Sequence, residues 1–223
     1  METKINEIFS SIQGEGPVVG YKQLFIRFCG CNLKCAYCDT EFAQGETYTP
    51  QKLYEKINSE HNLKTFHSIS LTGGEPLLSS EFLKEFLPLV KGQTKIYLET
   101  NATLSDKLLE VKELIDIVAA DIKLPSATGN DTIDQHRKFF KNCGSTETFA
   151  KIVFDKNIRE QEIEVCCKLG SEFNIELILQ PKMGVDGKMC VSSEFCNEIL
   201  DKFTTIYPNV RLIPQVHKFL DVR

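Results

Sequence analysis

Short apolar runs alternate along the chain with amphipathic segments, a pattern typical of a parallel sheet covered by helices. The predicted strands are residues 24–28, 68–71, 95–99, 116–121, 149–154 and 175–180, followed by one more apolar run at 210–214. The predicted helices, whose apolar positions recur at three and four, are residues 50–61, 80–91, 105–115 and 158–169. Six strand–helix units are too few for a closed eight-stranded barrel, which takes about 250 residues. The pattern therefore predicts an α/β fold: a partial, TIM-like barrel of about six parallel strands with an extra C-terminal strand. An open doubly wound sheet is the alternative.

Unusual residues follow the predicted strands. Four cysteines come after the first strand, and the segments TGGEP, ETNA, DIKLP and QPKMG follow the second, third, fourth and sixth. Both candidate architectures bind ligands where the carboxyl ends of the strands open into loops. We therefore expect a ligand site at that edge of the sheet.

Length and charge narrow the class of protein. The 223 residues contain no repeat and no linker, which predicts one domain over residues 1–223. A net charge of −5 argues against a general nucleic-acid binder. We expect no membrane partner, since no run reaches the ~20 apolar residues of a membrane span. The N-terminus lacks the features of a secretory signal, so a cytoplasmic, reducing compartment is expected.

The cysteines indicate a metal centre. Clustered cysteines in a reducing compartment more often serve metals or catalysis than disulfides. Cys31, Cys35 and Cys38 are spaced C-x3-C-x2-C, which suits three irons of a cubane cluster and leaves the fourth open. A zinc site and unliganded thiols remain open on spacing alone. Cys29 continues a strand and is predicted to be a core residue. The five other cysteines are predicted to be small buried thiols, namely Cys143, Cys166, Cys167, Cys190 and Cys196.

A charged residue also stands out inside the first strand. Arg27 lies mid-strand in an apolar run, where an unpaired charge would be costly. It either faces the barrel interior, where it could hold a carboxylate, or pairs on the surface. The histidines His61, His67 and His136 show no ligand spacing.

The cysteine loop, with Tyr37 before its last cysteine, and TGGEP together resemble the signatures of radical S-adenosylmethionine (SAM) enzymes. Five segments narrow the resemblance to the 7-carboxy-7-deazaguanine synthases, a family of that superfamily. They are residues 7–20, 25–40, 70–78, 98–103 and 214–223. Ala102 departs from the family pattern, in which glycine is more usual at that position.

The resemblance implies one radical SAM domain that converts 6-carboxy-5,6,7,8-tetrahydropterin into 7-carboxy-7-deazaguanine with loss of ammonia, in 7-deazapurine biosynthesis. In this family a reduced [4Fe-4S] cluster cleaves SAM to a 5′-deoxyadenosyl radical, which takes hydrogen from the substrate. The implied cofactors are the cluster, SAM and Mg²⁺. The implied partners are the pterin, an electron donor such as flavodoxin or ferredoxin, and a second copy in a homodimer.

The same resemblance assigns site residues, and no side chain is implied as a catalytic group. The cluster ligands would be Cys31, Cys35 and Cys38, and the Mg²⁺ ligand Thr40. The SAM site would comprise Tyr37, Cys38, Asp39, Gly74, Asp121, Ile122, Lys123, Gln180, Pro181, Lys182 and Met183. The substrate site would comprise Ile12, Gln13, Gly14, Glu15, Arg27, Thr72, His217 and Arg223.

Two other functions remain open on the sequence. A radical SAM activating enzyme, which acts on a protein partner, shares the cysteine loop and the Gly-Gly-Glu turn. It would not need Arg27, Thr40 or an inward-facing C-terminus. The other alternative is a non-catalytic module stabilised by zinc or a cluster.

Overall fold

The computed structural model describes residues 1–35, 45–129, 131–184 and 186–222. Within these residues, nine strands form one sheet: β1 (Thr3–Ile12), β2 (Lys22–Phe28), β3 (Glu46–Tyr48), β4 (Ser68–Gly73), β5 (Lys95–Thr100), β6 (Ile117–Ile122), β7 (Glu147–Phe154), β8 (Glu176–Pro181) and β9 (Val210–Leu212). The helices are α1 (Pro50–Glu60), α2 (Ser80–Val90), α3 (Ser105–Leu109), α4 (Pro125–Thr128), α5 (Ile133–Cys143), α6 (Glu160–Phe173), α7 (Ser193–Ile206) and α8 (Val216–Leu220).

The order of the strands confirms the predicted partial barrel. From β2 onward the neighbours run β2-β4-β5-β6-β7-β8-β9, all parallel and in chain order. A doubly wound sheet would reverse direction at a switch point, and this order never reverses. Among the described residues the edge strands β3 and β9 do not pair, so the sheet stays open. The predicted extra C-terminal strand is β9.

The two faces of the sheet are buried differently. One face packs against α1, α2, α5, α6 and α7 in a large apolar core that includes Leu24, Ile26 and Phe28 of β2. The other face holds a small apolar cluster built from strand residues, Val18 and Ile213. Because side chains alternate across a strand, polar residues of β2, β4 and β5 share that second face. Helices on one face and a partly polar interior on the other are the arrangement of a barrel.

The N-terminal hairpin was not predicted. Strand β1 pairs antiparallel with β2, and β3 pairs antiparallel with β1. The sequence of β1 has no sustained apolar run or clean alternation, and its register slips between Ile5 and Glu7. A bulge of this kind breaks the period-2 signal on which strand prediction depends.

Other predictions need correction. The helix expected over residues 105–115 ends at Leu109 and continues as a 3-10 turn over Lys112–Leu114. Helices α5 and α7 were not among the predicted ones. Cys190, expected to be buried, is exposed, whereas the other four isolated cysteines are buried. Cys29 is half-buried, with its sulfur close against Gly45, so it is not a full core residue.

None of the helices in the described part of the chain has the length and apolar character needed to cross a membrane.

Candidate functional site

Three loops meet at the carboxyl ends of β2, β4 and β5. Gly74 N donates to Phe28 O at 3.2 Å, and Glu75 N donates to Gly30 O at 2.9 Å. These bonds tie the TGGEP turn to the start of the cysteine loop. Gly73 lies between them at φ +113° and is the partner of Phe28 in the sheet. Few residues other than glycine adopt this backbone conformation.

Cys31 carries hydrogen bonds at its sulfur. Leu33 N and Asn101 Nδ2 donate to Cys31 Sγ at 3.4 and 3.7 Å, and Asn101 also donates to Asn32 Oδ1 at 2.9 Å. Amide donors aimed at a cysteine sulfur suit a thiolate, and they tune the potential of sulfur-bound clusters. Thus the turn after β5 supports the cysteine loop.

Glu75 connects the TGGEP turn with the turn after β5. Its buried carboxylate accepts hydrogen bonds from Leu77 N at 3.0 Å and Asn101 N at 2.8 Å, and from the Thr100 hydroxyl. Burial raises the pKa of Glu75 to about 7, although these hydrogen bonds act in the opposite direction. The glutamate of the Gly-Gly-Glu motif therefore acts as a fixed acceptor for the β5 turn.

His136 on α5 connects the β5 turn with the β6 turn. Its Nδ1 lies 3.2 Å from Ala102 O and its Nε2 lies 3.1 Å from Lys123 N. A carbonyl oxygen only accepts, so Nδ1 carries the proton and Nε2 accepts from Lys123. Ala102 lies at φ +54°, a left-handed conformation that glycine adopts more readily than alanine. His136 is thereby held in its neutral form.

The burial of His136 predicts how the stability of the protein depends on pH. Burial lowers the pKa of His136 to about 4. Below pH 6.5 this imidazole therefore binds a proton in the unfolded chain but remains neutral in the folded chain. We expect the free energy of unfolding to fall by about 2 kcal/mol more between pH 7 and pH 5 in the wild type than in His136→Gln. Urea unfolding at the two pH values measures this difference, and parallel pH profiles of the two proteins would contradict it.

The predicted SAM residues that lie in the described part of the chain are at the ends of β4, β6 and β8. Asp121 Oδ1 and Gln180 Oε1 are buried and have no hydrogen-bond partner among the described residues. Unpaired buried acceptors are rare in folded proteins and suit the donors of a bound ligand. The other oxygen of Asp121 accepts from Lys123 Nζ at 2.6 Å. This edge therefore fits a ligand that has several hydrogen-bond donors.

The other described residues of the predicted SAM site differ in which of their groups could contact a ligand. Ile122 points into the helix-side core and Pro181 is buried, so the backbone is the part of Ile122 that can reach a ligand. The Met183 side chain is buried. Lys182 N donates to Phe154 O at 2.9 Å, and its ammonium lies 3.8 Å from Asp155.

The barrel interior contains a hydrogen-bonded network of polar side chains. Gln13 is buried and its Nε2 donates to Gln23 Oε1 at 2.9 Å and Glu99 Oε1 at 3.1 Å. Ser70 and Thr72 donate to the two oxygens of Glu99 at 2.8 and 3.3 Å. Glu99 therefore connects β4 and β5 with the loop that follows β1.

Glu15 is the centre of a second group of contacts. Its carboxylate is paired with the Lys151 ammonium and accepts from Gln180 Nε2 at 3.2 Å and Gln215 Nε2 at 2.7 Å. Burial raises the pKa of Glu15, but Lys151, Gln215 and His217 outweigh it and bring that pKa to about 2. Lys151 also lies 4.0 Å from Glu99. Glu15 is thus an ionised, acceptor-only group.

Arg27 is half-buried on the interior face of the sheet. It lies beside Thr72 in the register of β2 and β4. Its guanidinium lies 5.5 Å from the centre of the Phe9 ring and 4.0 Å from Glu7. The aromatic face orients the planar cation. Arg27 therefore lies on the interior face, which it shares with Phe25 and Gln23, and it also has a carboxylate partner in Glu7.

The C-terminal segment folds back onto the loop after β1. Val216 N donates to Gly14 O at 2.9 Å, and a side-chain carbon on Gly14 would lie 2.3 to 2.6 Å from His217. Only a glycine allows this approach. The structure thus brings Gln13, Gly14, Glu15 and His217 together, with Ile12 half-buried at the end of β1.

Some predicted residues lie outside the described part of the chain: Tyr37, Cys38, Asp39, Thr40 and Arg223. Among the described residues no group of three potential metal ligands occurs. Cys31 and Cys35 are described, and the third cysteine of the predicted triad is not.

Sequence reasoning missed four residues of the interior: Gln23, Glu99, Lys151 and Gln215. A signal existed for Lys151, which interrupts an apolar strand in the same way as Arg27. No comparable signal existed for Gln23 and Gln215, since a glutamine in a strand or near a terminus is ordinary.

The model of the radical SAM superfamily matches residues 25–165. A 7-carboxy-7-deazaguanine synthase from Geobacter sulfurreducens is 33% identical over 97% of this chain and 96% of its own length. One from Methanopyrus kandleri is 35% identical over 97% and 93%. The chain belongs to the 7-carboxy-7-deazaguanine synthase family.

The solved structure of QueE from Escherichia coli has the same fold. The two structures superpose with a TM-score of 0.67 at 21% sequence identity. The match covers 97% of this chain and 95% of the QueE chain. Membership of the 7-carboxy-7-deazaguanine synthase family excludes the non-catalytic zinc module, since the superfamily signature carries a [4Fe-4S] cluster and SAM.

Proposed function

We propose that this protein converts 6-carboxy-5,6,7,8-tetrahydropterin into 7-carboxy-7-deazaguanine and ammonia, a step of 7-deazapurine biosynthesis. Ammonia is the sole coproduct, so the reaction balances without a net oxidant. The observation that carries the proposal is the similarity to named synthases over nearly the whole chain, and in the synthase from Archaeoglobus fulgidus over all of it. The superfamily model by itself matches residues 25–165.

The barrel interior supports a flat, polar substrate. Arg27 would hold the substrate carboxylate, with Thr72 beside it. Gln13, Glu15 and His217 would line the edge of the heterocycle together with Ile12, Gly14 and Arg223. An ionised carboxylate such as Glu15 accepts hydrogen bonds only, so it favours a ligand edge that carries N–H groups.

Cys31, Cys35 and Cys38 would hold the cluster. Gly74, residues 121–123 and residues 180–183 would hold SAM, with Tyr37, Cys38 and Asp39. When bound, the cluster and SAM supply the one-electron chemistry of the superfamily. The unpaired oxygens of Asp121 and Gln180 support a ligand with donor groups at this edge. Thr40 would bind Mg²⁺ through its hydroxyl, with substrate oxygens and waters as further ligands.

The packing of the tail argues against an activating enzyme. That function needs an open groove for a polypeptide, whereas residues 215–217 contact the loop after β1 at Gly14 and Glu15. The proposal includes one radical SAM domain in a reducing cytoplasm, a flavodoxin- or ferredoxin-like reductant, and a homodimer.

Product analysis tests the proposed function. Anaerobically reconstituted, reduced protein is incubated with SAM, Mg²⁺ and carboxytetrahydropterin, and we expect a product lighter than the substrate by one ammonia. The Cys35→Ala variant, which lacks a cluster ligand, is the matched control and should form none. Cleavage of SAM without this product would refute the proposed substrate.

A further inference from the structure

The interior contains a buried cation to which no role has been given. Lys151 lies in the middle of β7, is 5% exposed, and points to the barrel interior between β6 and β8. Its ammonium is paired with Glu15 and lies 4.0 Å from Glu99. Phe149, two residues earlier on the same face, is part of the small apolar cluster. An apolar residue at position 151 would extend that cluster.

A buried ion pair is weak support for stability. In many proteins the free-energy cost of removing two charges from water exceeds the gain from their attraction. Well-packed apolar residues can often replace such a pair without loss of stability. Buried charges that persist in a site tend to serve its function. The contacts of Glu15 indicate what that function is.

Glu15 connects three parts of the chain that are remote in sequence. It belongs to residues 13–15, which we name the QGE loop, and its backbone N donates to Gln13 Oε1 at 2.9 Å. Its carboxylate accepts from Gln180 at the end of β8 and from Gln215 in the C-terminal segment. These amides need an acceptor, and a protonated carboxyl would present a donor to one of them.

We propose that Lys151 is a positioning residue: it holds Glu15 as an acceptor-only carboxylate, so that the QGE loop stays joined to β8 and the C-terminal segment in the geometry that receives the substrate. This inference rests on the proposed function, because the QGE loop is assigned to substrate there.

The charges around the pair are consistent with this role. The groups that face Lys151 and Glu15 are Tyr97 and Glu99 on β5, Asp121 on β6 and His217 on α8. Burial alone would lower the pKa of Lys151, but Glu15, Glu99 and Asp121 raise it well above its usual value. Lys151 therefore stays charged, and the pair does not titrate between pH 5 and pH 8.

The Lys151→Met variant removes the charge and keeps most of the volume. Glu15 then loses its cation, and burial raises its pKa in the folded state. A carboxyl whose folded pKa is raised loses stability as pH rises. We expect the Tm difference between wild type and Lys151→Met to grow from pH 5 to pH 8. This growth should be smaller in Lys151→Met/Glu15→Gln, in which Glu15 can no longer titrate but Glu99 still lacks the nearby cation. Lys202→Met is the matched control, since Lys202 also pairs with two glutamates, but at the surface.

Two further measurements separate positioning from packing. Amide hydrogen exchange of residues 13–16 and 215–217 should become faster in Lys151→Met and remain unchanged in Lys202→Met. The affinity for 6-carboxypterin, a fluorescent non-reacting probe, should fall on the order of 10- to 100-fold. The affinity for SAM, measured by equilibrium dialysis, should fall less than the affinity for 6-carboxypterin, because Lys151 reaches the proposed SAM site indirectly, through the bond between Glu15 and Gln180.

A Tm difference that is equal at pH 5 and pH 8 would mean that Lys151 only fills volume, and it overturns the inference. Unchanged hydrogen exchange, or an equal loss of SAM affinity, also overturns it. If Lys151→Met does not fold, recovery of folding in the double variant supports the inference and equal misfolding overturns it. If the wild type fails to bind 6-carboxypterin, the proposed function is at fault, while melting and exchange still decide the role of Lys151.

Discussion

Replacing Gly73 by alanine is expected to destabilise the protein by at least about 4 kcal/mol and to prevent assembly of the cluster. Gly73 has φ +113°, and a side-chain carbon there would lie 2.3 Å from Phe28 O and 2.5 Å from Phe28 N. Both atoms belong to the backbone of β2 and cannot rotate away. The end of β2 would have to separate from the TGGEP turn, which supports the cysteine loop through Gly30 and Gly74.

Urea unfolding and the iron and sulfide content after anaerobic reconstitution measure this effect. Gly20→Ala is the matched control, because Gly20 has φ +91° but no atom within 4 Å of the added carbon. It should show only the backbone penalty of a left-handed conformation, about 1 to 2 kcal/mol. A Gly73→Ala protein as stable as Gly20→Ala, with full iron content, would contradict the role of the close approach between β2 and β4.

Replacing Gly14 by alanine should weaken substrate binding by about 100-fold while leaving the fold intact. The added carbon would lie 2.6 Å from His217 N and 2.5 Å from His217 Cβ, so the C-terminal segment could not remain on the QGE loop. Helix α8 has no buried residue, so its displacement costs little stability. The backbone of Gly14 is outside the left-handed region, and alanine adds no strain there.

The affinity for 6-carboxypterin, measured by fluorescence, tests this prediction. The control is the same substitution in a chain that ends at Ile213, where no tail remains to be displaced. Gly14→Ala should cause no further loss in that background, since the two changes remove the same contact. An unchanged affinity in the full-length variant would show that the tail is not part of the substrate site.

Much of the fold could be predicted from the pattern of apolar residues. Strands β4 to β8 are buried on both faces or nearly so, and they therefore appear as continuous apolar runs separated by amphipathic helices. The N-terminal hairpin escaped prediction because β1 is half-exposed along most of its length and contains a bulge. Helix α5 escaped because charged residues interrupt its apolar stripe.

The candidate site was predicted unevenly, for a similar reason. Arg27 was noticed because a charge inside an apolar run is locally anomalous. Lys151 presents the same anomaly, but its partner Glu15 is 136 residues away and no local pattern connects them. The bond from Gln215 to Glu15 spans 200 residues. Such pairs depend on strand register and on the path of the tail.

The sequence by itself determined the parallel α/β sheet and the family. These follow from local patterns: the period of apolar positions, the spacing of thiols, and glycines where the backbone must approach closely. Only the tertiary structure decided that Lys151 pairs with Glu15, that His136 is held neutral between two turns, and that His217 rests on Gly14. Burial makes each of these polar contacts necessary, but the choice of partner depends on which strands become neighbours.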